Sequence, residues 1–315
     1  MSSPLIAVVG ATGAQGGGLV NALLDDPQRR FRVRAITRKP GSDAGAALAA
    51  RGAEVVEGNA DDLASITAAF DGAHGAFCVT NFWEHMSPAR ERQQARNLAE
   101  AVKAAGVAHA IWSTLEDTRR TVPLSDTRMP TLLEHYKVPH FDVKGEADAF
   151  FAASGVATTF LLTSFYWDNF IAFGMGPKPG PDGVLTFGFP MGGEKLPGVA
   201  AADIGGVAAG VFAAGTSLAG QYVPASGDHL TGHEMAAAMT RAFGRDVRYV
   251  AIEPEVYRGF GFPGADDLGN MFQFKRDFAA AFQAARPVAA SRALHPGIRS
   301  FDQWLAANAS RIPLA

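Results

Sequence analysis

The apolar run Leu5–Val9 passes directly into Gly10-Ala-Thr-Gly13-Ala-Gln-Gly16, where helical spacing begins. No other feature constrains the fold as much. Five apolar residues halted by glycine read as a buried strand. Glycines three apart at the mouth of a helix allow a tight turn and let a ligand approach the backbone closely. The free N–H groups and the dipole of the helix start then favour an anion, above all the pyrophosphate of a dinucleotide. A ligand-free glycine turn is the alternative in a chain with 35 glycines. The strand before and the helix after decide for the phosphate loop.

The rest of the first half repeats the strand–helix theme. Strands are expected at Leu5–Val9, Phe31–Thr37, Glu54–Glu57, Gly75–Thr80, Ala108–Ser113 and Thr158–Thr163. Helices are expected at Gln15–Leu24, Asp43–Arg51, Leu63–Phe70, Pro88–Ala105 and Pro139–Ala153. Such alternation, with right-handed crossovers, predicts an α/β fold built on a Rossmann-type, doubly wound parallel sheet.

After about residue 165 the pattern changes. Glycine and proline crowd Gly174–Gly193 around a short strand at Val184–Phe187. Helices are expected at Ala202–Ala214, Gly232–Phe243, Glu255–Gly261 and Phe301–Asn308, with strands at Gln221–Pro224 and Val247–Ile252. The expected division is therefore a dinucleotide domain over 1–165 and a smaller α/β lobe over 166–315, some of whose segments return to the main domain.

Net charge is -3 at 48% hydrophobic and 19% charged residues, so the counterion-release term that drives nucleic-acid binding has no basic surface to act through, and no direct nucleic-acid partner is expected. No apolar run reaches spanning length, so no membrane association is expected. Without a basic leader ahead of Leu5, the expected location is cytoplasmic. The single cysteine, Cys78, excludes an internal disulfide and sits in an apolar run, where an inert buried thiol is expected.

The spacing GxxGxxG points to the short-chain dehydrogenase branch of the fold. The second strand selects the cofactor. An NAD site usually ends this strand in an acid that holds the ribose 2′-OH. Here it ends in Arg38-Lys39, and a guanidinium can clamp a 2′-phosphate, so NADP(H) is expected. Arg30, Arg32 and Arg34 share one strand face and read as surface charge. Asn59 and Ala60, after the third strand, are placed near adenine, and Asp62 is a helix-cap candidate. Thr80-Asn81-Phe82-Trp83 ends the fourth strand at the ligand crevice.

Four stretches together carry a resemblance: GATGAQGG at Gly10–Gly17, VTNFWE at Val79–Glu84, HFDVKGE at His140–Glu146 and GFPGADDLGNMFQF at Gly261–Phe274. In this order they resemble the NmrA-like family, and within it the HSCARG-type branch. The resemblance implies an atypical short-chain dehydrogenase/reductase that prefers NADP(H). By motif, the cofactor residues it implies are Gly10, Thr12, Gly13, Ala14, Gln15, Gly16, Arg38, Asn59, Ala60, Thr80, Asn81, Phe82 and Lys144. Phe165-Tyr166-Trp167-Asp168-Asn169 would border the nicotinamide, with Tyr166 and Asn169 as contacts. Asn59-Ala60 departs from relatives that carry an acid there. Some members of the family are redox sensors or transcriptional co-regulators, and others in the wider group reduce quinones, dyes or plant phenolics.

A typical short-chain dehydrogenase places YxxxK on a helix, tyrosine passing the proton and lysine lowering its pKa. The corresponding pair here is His140 and Lys144, one helix face apart. Tyr136 precedes the helix. His140 and Lys144 are the candidate catalytic residues, each with a non-catalytic alternative: a hydrogen bond to the cofactor for His140, a ribose and phosphate contact for Lys144. Ser113 and Thr114 end the fifth strand as candidate substrate hydroxyls or turn caps. His229 and His233 have metal-like spacing, but Thr231 and Glu234 form a capping-box pattern between them, and no metal is expected. Asp266-Asp267 reads as a helix start, and Phe272, Phe274, Phe278 and Phe282 as core.

Two functions follow. One is an NADP(H) sensor, whose loops order on binding the dinucleotide and change the affinity for a regulatory protein partner, or a weak reductase. The other is a reductase for a small aromatic or quinone-like substrate in a pocket lined by Asn81, Phe82, Trp83, Phe165 and Tyr166.

Overall fold

A computed structural model describes residues 3–314. Its centre is a seven-stranded, all-parallel sheet. The first six strands are β1 (Leu5–Val9), β2 (Arg32–Thr37), β3 (Glu54–Glu57), β4 (Gly75–Cys78), β5 (His109–Thr114) and β6 (Ala157–Thr163). Between them run α1 (Ala14–Leu24), α2 (Asp43–Ala50), α3 (Leu63–Phe70), α4 (Pro88–Ala104) and α5 (Pro139–Ser154). All five residues of β1 are buried, as expected for a strand covered on both faces. Side chains alternate along it: Ile6 and Val8 join Leu19 and Val20 of α1 in one core layer, while Ala7 and Val9 join Ile66, Phe70, Leu98 and Val102 in the other.

The second half begins with β7 (Phe165–Tyr166), α6 (Asn169–Ala172), β8 (Lys178–Pro179), β9 (Leu185–Phe189) and β10 (Leu196–Val199). Then come α7 (Ala201–Ala213), β11 (Tyr222–Ala225), β12 (Asp228–Leu230), α8 (Gly232–Phe243) and β13 (Val247–Ala251). It ends with α9 (Pro254–Arg258), α10 (Ala265–Asp277), α11 (Ala279–Ala284), α12 (Val288–Leu294) and α13 (Phe301–Asn308). The main sheet runs β11-β6-β5-β4-β1-β2-β3, and two three-stranded sheets, β12-β10-β7 and β13-β9-β8, lie in the second half.

Two segments from beyond residue 200 complete the first half. β11 pairs with β6, and α7 lies on α1. That helix contact is closer than ordinary side chains allow: a Cβ on Gly205 would lie 2.0 Å from the Leu19 nitrogen, and one on Gly18 would lie 2.5 Å from the Ala202 oxygen. Most other apolar residues of the second half, joined by Val122, Met129, Val138 and Phe141 of the first, form an aromatic core around Phe165, Trp167, Phe170, Phe189, Phe272 and Trp304.

Several sequence expectations shift here. The fourth strand stops at Cys78, two residues early, and α9 stops at Arg258 before the glycines. Phe272, Phe274 and Phe282 are core, but Phe278 sits at the break between α10 and α11, so the four do not share one helix. The short strands β7, β8, β10 and β12 carry no period long enough to recognise.

Candidate functional site

The loop between β1 and α1 is built as the glycine spacing requires. Gly10 has a left-handed backbone (φ +65°), and its carbonyl accepts the Gly13 amide at 2.8 Å. A Cβ on Gly16 would lie 2.4 Å from the Gly10 oxygen, so only glycine fits the turn. Helices α2, α3 and α4 are capped by Ser42, Asp62 and Ser87 side chains, whereas α1 has no side-chain cap. Its exposed start, with Thr12, Gly13 and Ala14, leaves amides for an external anion.

Gln15 anchors this start to the far side of the crevice. Its Nε2 donates to the Tyr166 hydroxyl at 2.6 Å, and its Oε1 accepts from the Ser113 hydroxyl at 2.7 Å. Burial pushes the Tyr166 phenol up to about 12. Of the stretch expected to border the nicotinamide, Tyr166 reaches the loop, but Trp167 does not. Trp167, just past β7, is packed against Phe301 and Trp304 in the second core, its amide still bonded to the Val199 carbonyl of β10 and its side chain turned from the Tyr166 face. Phe165 is likewise a core residue, and Asp168 accepts the Ala201 amide at the start of α7. Asn169, half-buried, opens α6. Thr114 also turns from the crevice, donating to Asp148 at 2.6 Å, so Ser113 alone of the pair faces the loop.

Arg38 is exposed at the end of β2 and ion-paired with Glu84, whose carboxyl it holds below the usual range. Arg30, Arg32 and Arg34 are tied to Asp26, the Ser3 carbonyl and Glu54, as surface charges would be. At the end of β3, Asn59 Oδ1 accepts the Asp61 amide and the Ala60 carbonyl accepts Asn97 Nδ2. Asp62 caps α3. Asn81 is exposed, followed by the one-turn helix Phe82–Glu84, whose Phe82 is buried.

Two titratable clusters flank the crevice. Lys144, on α5, donates to the Thr80 carbonyl at 3.0 Å and the Thr80 hydroxyl at 2.8 Å, and pairs with Glu91 at 2.9 Å. Three partners match the three N–H bonds of an ammonium. The lysine therefore stands inside the wall rather than facing the crevice as expected. Thr80 passes its own hydroxyl proton toward Glu91 at 2.6 Å. The second Glu91 oxygen faces His85 Nε2 at 3.4 Å. Since His85 Nδ1 accepts the Ser87 amide, Nε2 is the protonated nitrogen of the neutral ring.

His140 stands one helical turn before Lys144. Asp267 of α10 holds it twice, through the ring Nδ1 at 2.6 Å and the backbone amide at 3.2 Å. Trp83 lies 4.8 Å from the ring, with Phe82 at 6.1 Å and Phe141 at 4.8 Å. Because Nδ1 carries the proton toward Asp267, Nε2 is the free nitrogen of the neutral imidazole.

Glu91 and Asp267 are the residues sequence reasoning missed as site partners. Glu91 lies among the charges of PARERQQARNLAE, where nothing marks one as buried. Asp267 does open α10, but its carboxylate turns inward. Elsewhere, the Thr231–Glu234 capping box forms; His229 bonds the Arg286 carbonyl and His233 meets Tyr249 edge to face. Among the described residues no cluster of three or more His, Cys, Asp or Glu could hold a metal, and no helix is long and apolar enough to cross a membrane. Cys78 is buried, and burial pushes its thiol up.

A parallel sheet whose first six strands follow the order 3-2-1-4-5-6, with an uncapped glycine-turn helix at its crest, defines a protein of the NAD(P)-binding Rossmann class. Residues 2–305 match the NmrA-like family, and the chain belongs to it. The NmrA-like oxidoreductase FrzB of Cladobotryum sp. is 29% identical over 314 residues, covering 92% of this chain and 89% of that protein. The NmrA-like oxidoreductase notA' of Aspergillus versicolor is 34% identical over 253 residues, with 74% and 67% covered. Among solved structures, the negative transcriptional regulator NmrA in complex with NADP has a TM-score of 0.78 at 22% identity, covering 97% of this chain and 95% of its own. Citrobacter sp. triphenylmethane reductase complexed with NADP(H) has a TM-score of 0.73 at 19% identity, with 98% and 100% covered. At these identities the structures speak for the fold.

Proposed function

We propose that this protein binds NADP(H) across the crest of the sheet and reduces a small, flat aromatic or quinone-like substrate, with His140 supplying the proton. The observation that carries this reading is the His140–Asp267 pair, set against Trp83 and Phe82 beside the crevice. When bound, the dinucleotide supplies the hydride. The uncapped start of α1, from Gly10 to Gly16, holds the pyrophosphate. Arg38 leaves Glu84 to take the 2′-phosphate, and Asn59, Ala60, Asn81 and Phe82 line the adenosine and ribose side.

Asp267 holds Nδ1, which leaves Nε2 as the nitrogen that can take up a proton and deliver it to the oxygen of the reduced product. The carboxylate also offsets the positive charge of the imidazolium. Lys144 acts through Thr80: its ammonium fixes the end of β4 and neutralises Glu91, and it is a positioning residue.

The regulatory reading, in which dinucleotide binding alters the affinity for a protein partner, draws on one observation: with tyrosine absent and Lys144 fully engaged, the usual proton-transfer pair is missing. NADPH titration followed by oxidation assays against quinones, aromatic aldehydes and dyes separates the two. His140→Gln should bind NADPH normally and lose about 100-fold or more in turnover, in line with general-acid contributions. Asp267→Asn should shift the pH profile of turnover. Tight NADPH binding without turnover above background across the panel refutes the reductase reading.

A further inference from the structure

The arginines around β2 and β3 are held unequally. Arg34 donates to Glu54 and to the Ala69 and Asp71 carbonyls. Arg90 is clamped by both oxygens of Asp61, at 3.0 and 2.6 Å. Arg38, more exposed than either, has one partner among the described residues, a single Glu84 oxygen on one guanidinium nitrogen. An exposed pair with one contact holds its members weakly. Of the three arginines, Arg38 is therefore the one a ligand draws off most readily.

Glu84 is presented by a braced turn. It ends the one-turn helix Phe82–Glu84, where Phe82 is buried and the Met86 amide donates to the Phe82 carbonyl at 2.7 Å. In the main sheet β4 and β2 lie on either side of β1. The Arg38–Glu84 contact thus crosses the exit of β1, where the loop Gly10–Gly16 begins. The Arg38 guanidinium holds the Glu84 carboxyl below its usual range, so the acid is ionised at neutral pH. The carboxylate that β2 lacks at its own end is supplied beside its arginine from the segment after β4.

We propose that Glu84 sets the choice between the two dinucleotides, competing with the 2′-phosphate of NADP(H) for Arg38 and accepting the 2′-hydroxyl of NAD(H). This rests on the reading that Arg38 takes the 2′-phosphate. A phosphate can receive the guanidinium fork through two oxygens and so displaces a single carboxylate oxygen. The displaced carboxylate stays close by as a like charge and lowers the affinity. A 2′-hydroxyl brings no charge to repel and a proton to donate, so the same carboxylate serves it as a strand-end acid serves NAD. The pair favours NADP(H) less than Arg38 alone would, and the chain accepts both dinucleotides.

The test is binding, with NADPH and NADH titrated by nicotinamide fluorescence against the wild type, Glu84→Ala, Glu84→Gln and Arg38→Ala. Glu84→Ala should tighten NADPH about 5-fold and weaken NADH by a similar factor, the scale of one exposed charged contact. Glu84→Gln keeps an acceptor but loses the charge. It should tighten NADPH about as much and leave NADH within about 2-fold. Unchanged or weaker NADPH binding in both Glu84 variants overturns the proposal, because the acid would then position Arg38 rather than compete for it. Unchanged NADH binding in Glu84→Ala overturns it as well. Failure of the underlying reading looks different: Arg38→Ala would weaken NADPH and NADH alike. Selective loss of NADPH in Arg38→Ala, with both Glu84 variants unmoved, leaves that reading standing and removes this proposal alone.

Discussion

Lys275 of α10 is an amine buried in the aromatic core, bonded to the Met271 sulfur at 3.2 Å, and its burial makes a prediction about stability. Burial, with the Arg286 charge beside it, pulls the amine from about 10.5 down to about 7, and Glu116 only partly opposes this. The folded protein therefore releases this proton far more readily than the unfolded chain. Between those two values the unfolded state binds more protons, so stability must rise with pH across the window. Below about 7 both states carry the charge, and the full penalty of burying it applies. At 1.36 kcal/mol per pH unit, the window from about 7 to 10.5 corresponds to about 5 kcal/mol. The rings of Phe141, Phe165, Phe272 and Phe282, 5.3–6.0 Å from the nitrogen, attract the cation and offset about 2 kcal/mol of this, leaving about 3.

Lys275→Met keeps the volume and removes the charge. Near pH 7 it should be more stable than the wild type by about 3 kcal/mol or more. Urea unfolding of both proteins at intervals from pH 6 to 10.5 isolates the effect, since other groups titrate alike in both and cancel in the difference. The wild type should gain on the variant steadily from pH 7 upward. A difference that is flat, or that moves in favour of the variant as pH rises, refutes the reasoning.

Removing Lys144 strands Glu91 in the wall, so Lys144→Met should destabilise by about 3–5 kcal/mol. The double variant with Glu91→Leu should recover much of this, and strict additivity in unfolding would show that the two do not interact. Arg38→Ala should weaken NADPH binding much more than NADH, and equal loss would count against a 2′-phosphate role. Gly205→Ala presses a methyl onto the backbone of α1 and should cost about 1–3 kcal/mol or more; an unchanged melting temperature would contradict the close helix contact.

The main sheet was legible in the sequence because β1, β4, β5 and β6 are almost wholly buried and separated by helices, giving runs that local patterns detect. The loop at Gly10–Gly16 and the Thr231–Glu234 capping box are likewise local. What stayed hidden depends on contacts across the chain. Lys144 looked free because its partner Glu91 lies 53 positions earlier in an ordinary charged helix. His140 gains Asp267 from 127 positions away. The one local signal of an inward charge was Lys275 in MFQFKRDF, a lysine among phenylalanines. Trp167 misled for the opposite reason: alternation carried on past β7 decided its direction, and so short a strand is too brief to reveal which face is which.

The glycine seam between α1 and α7 has a consequence for how the chain can be divided. The helix that presents the phosphate loop is backed by a segment nearly two hundred residues later, and β6 is shielded at its edge by β11. A fragment ending near residue 165 would bare Leu19, Val20 and the open side of β6 to water. Such a piece would lack both a covered core layer and a protected edge, and would tend to associate rather than fold alone. The ligand loop at the beginning of the chain is thus completed only when the later half has been made.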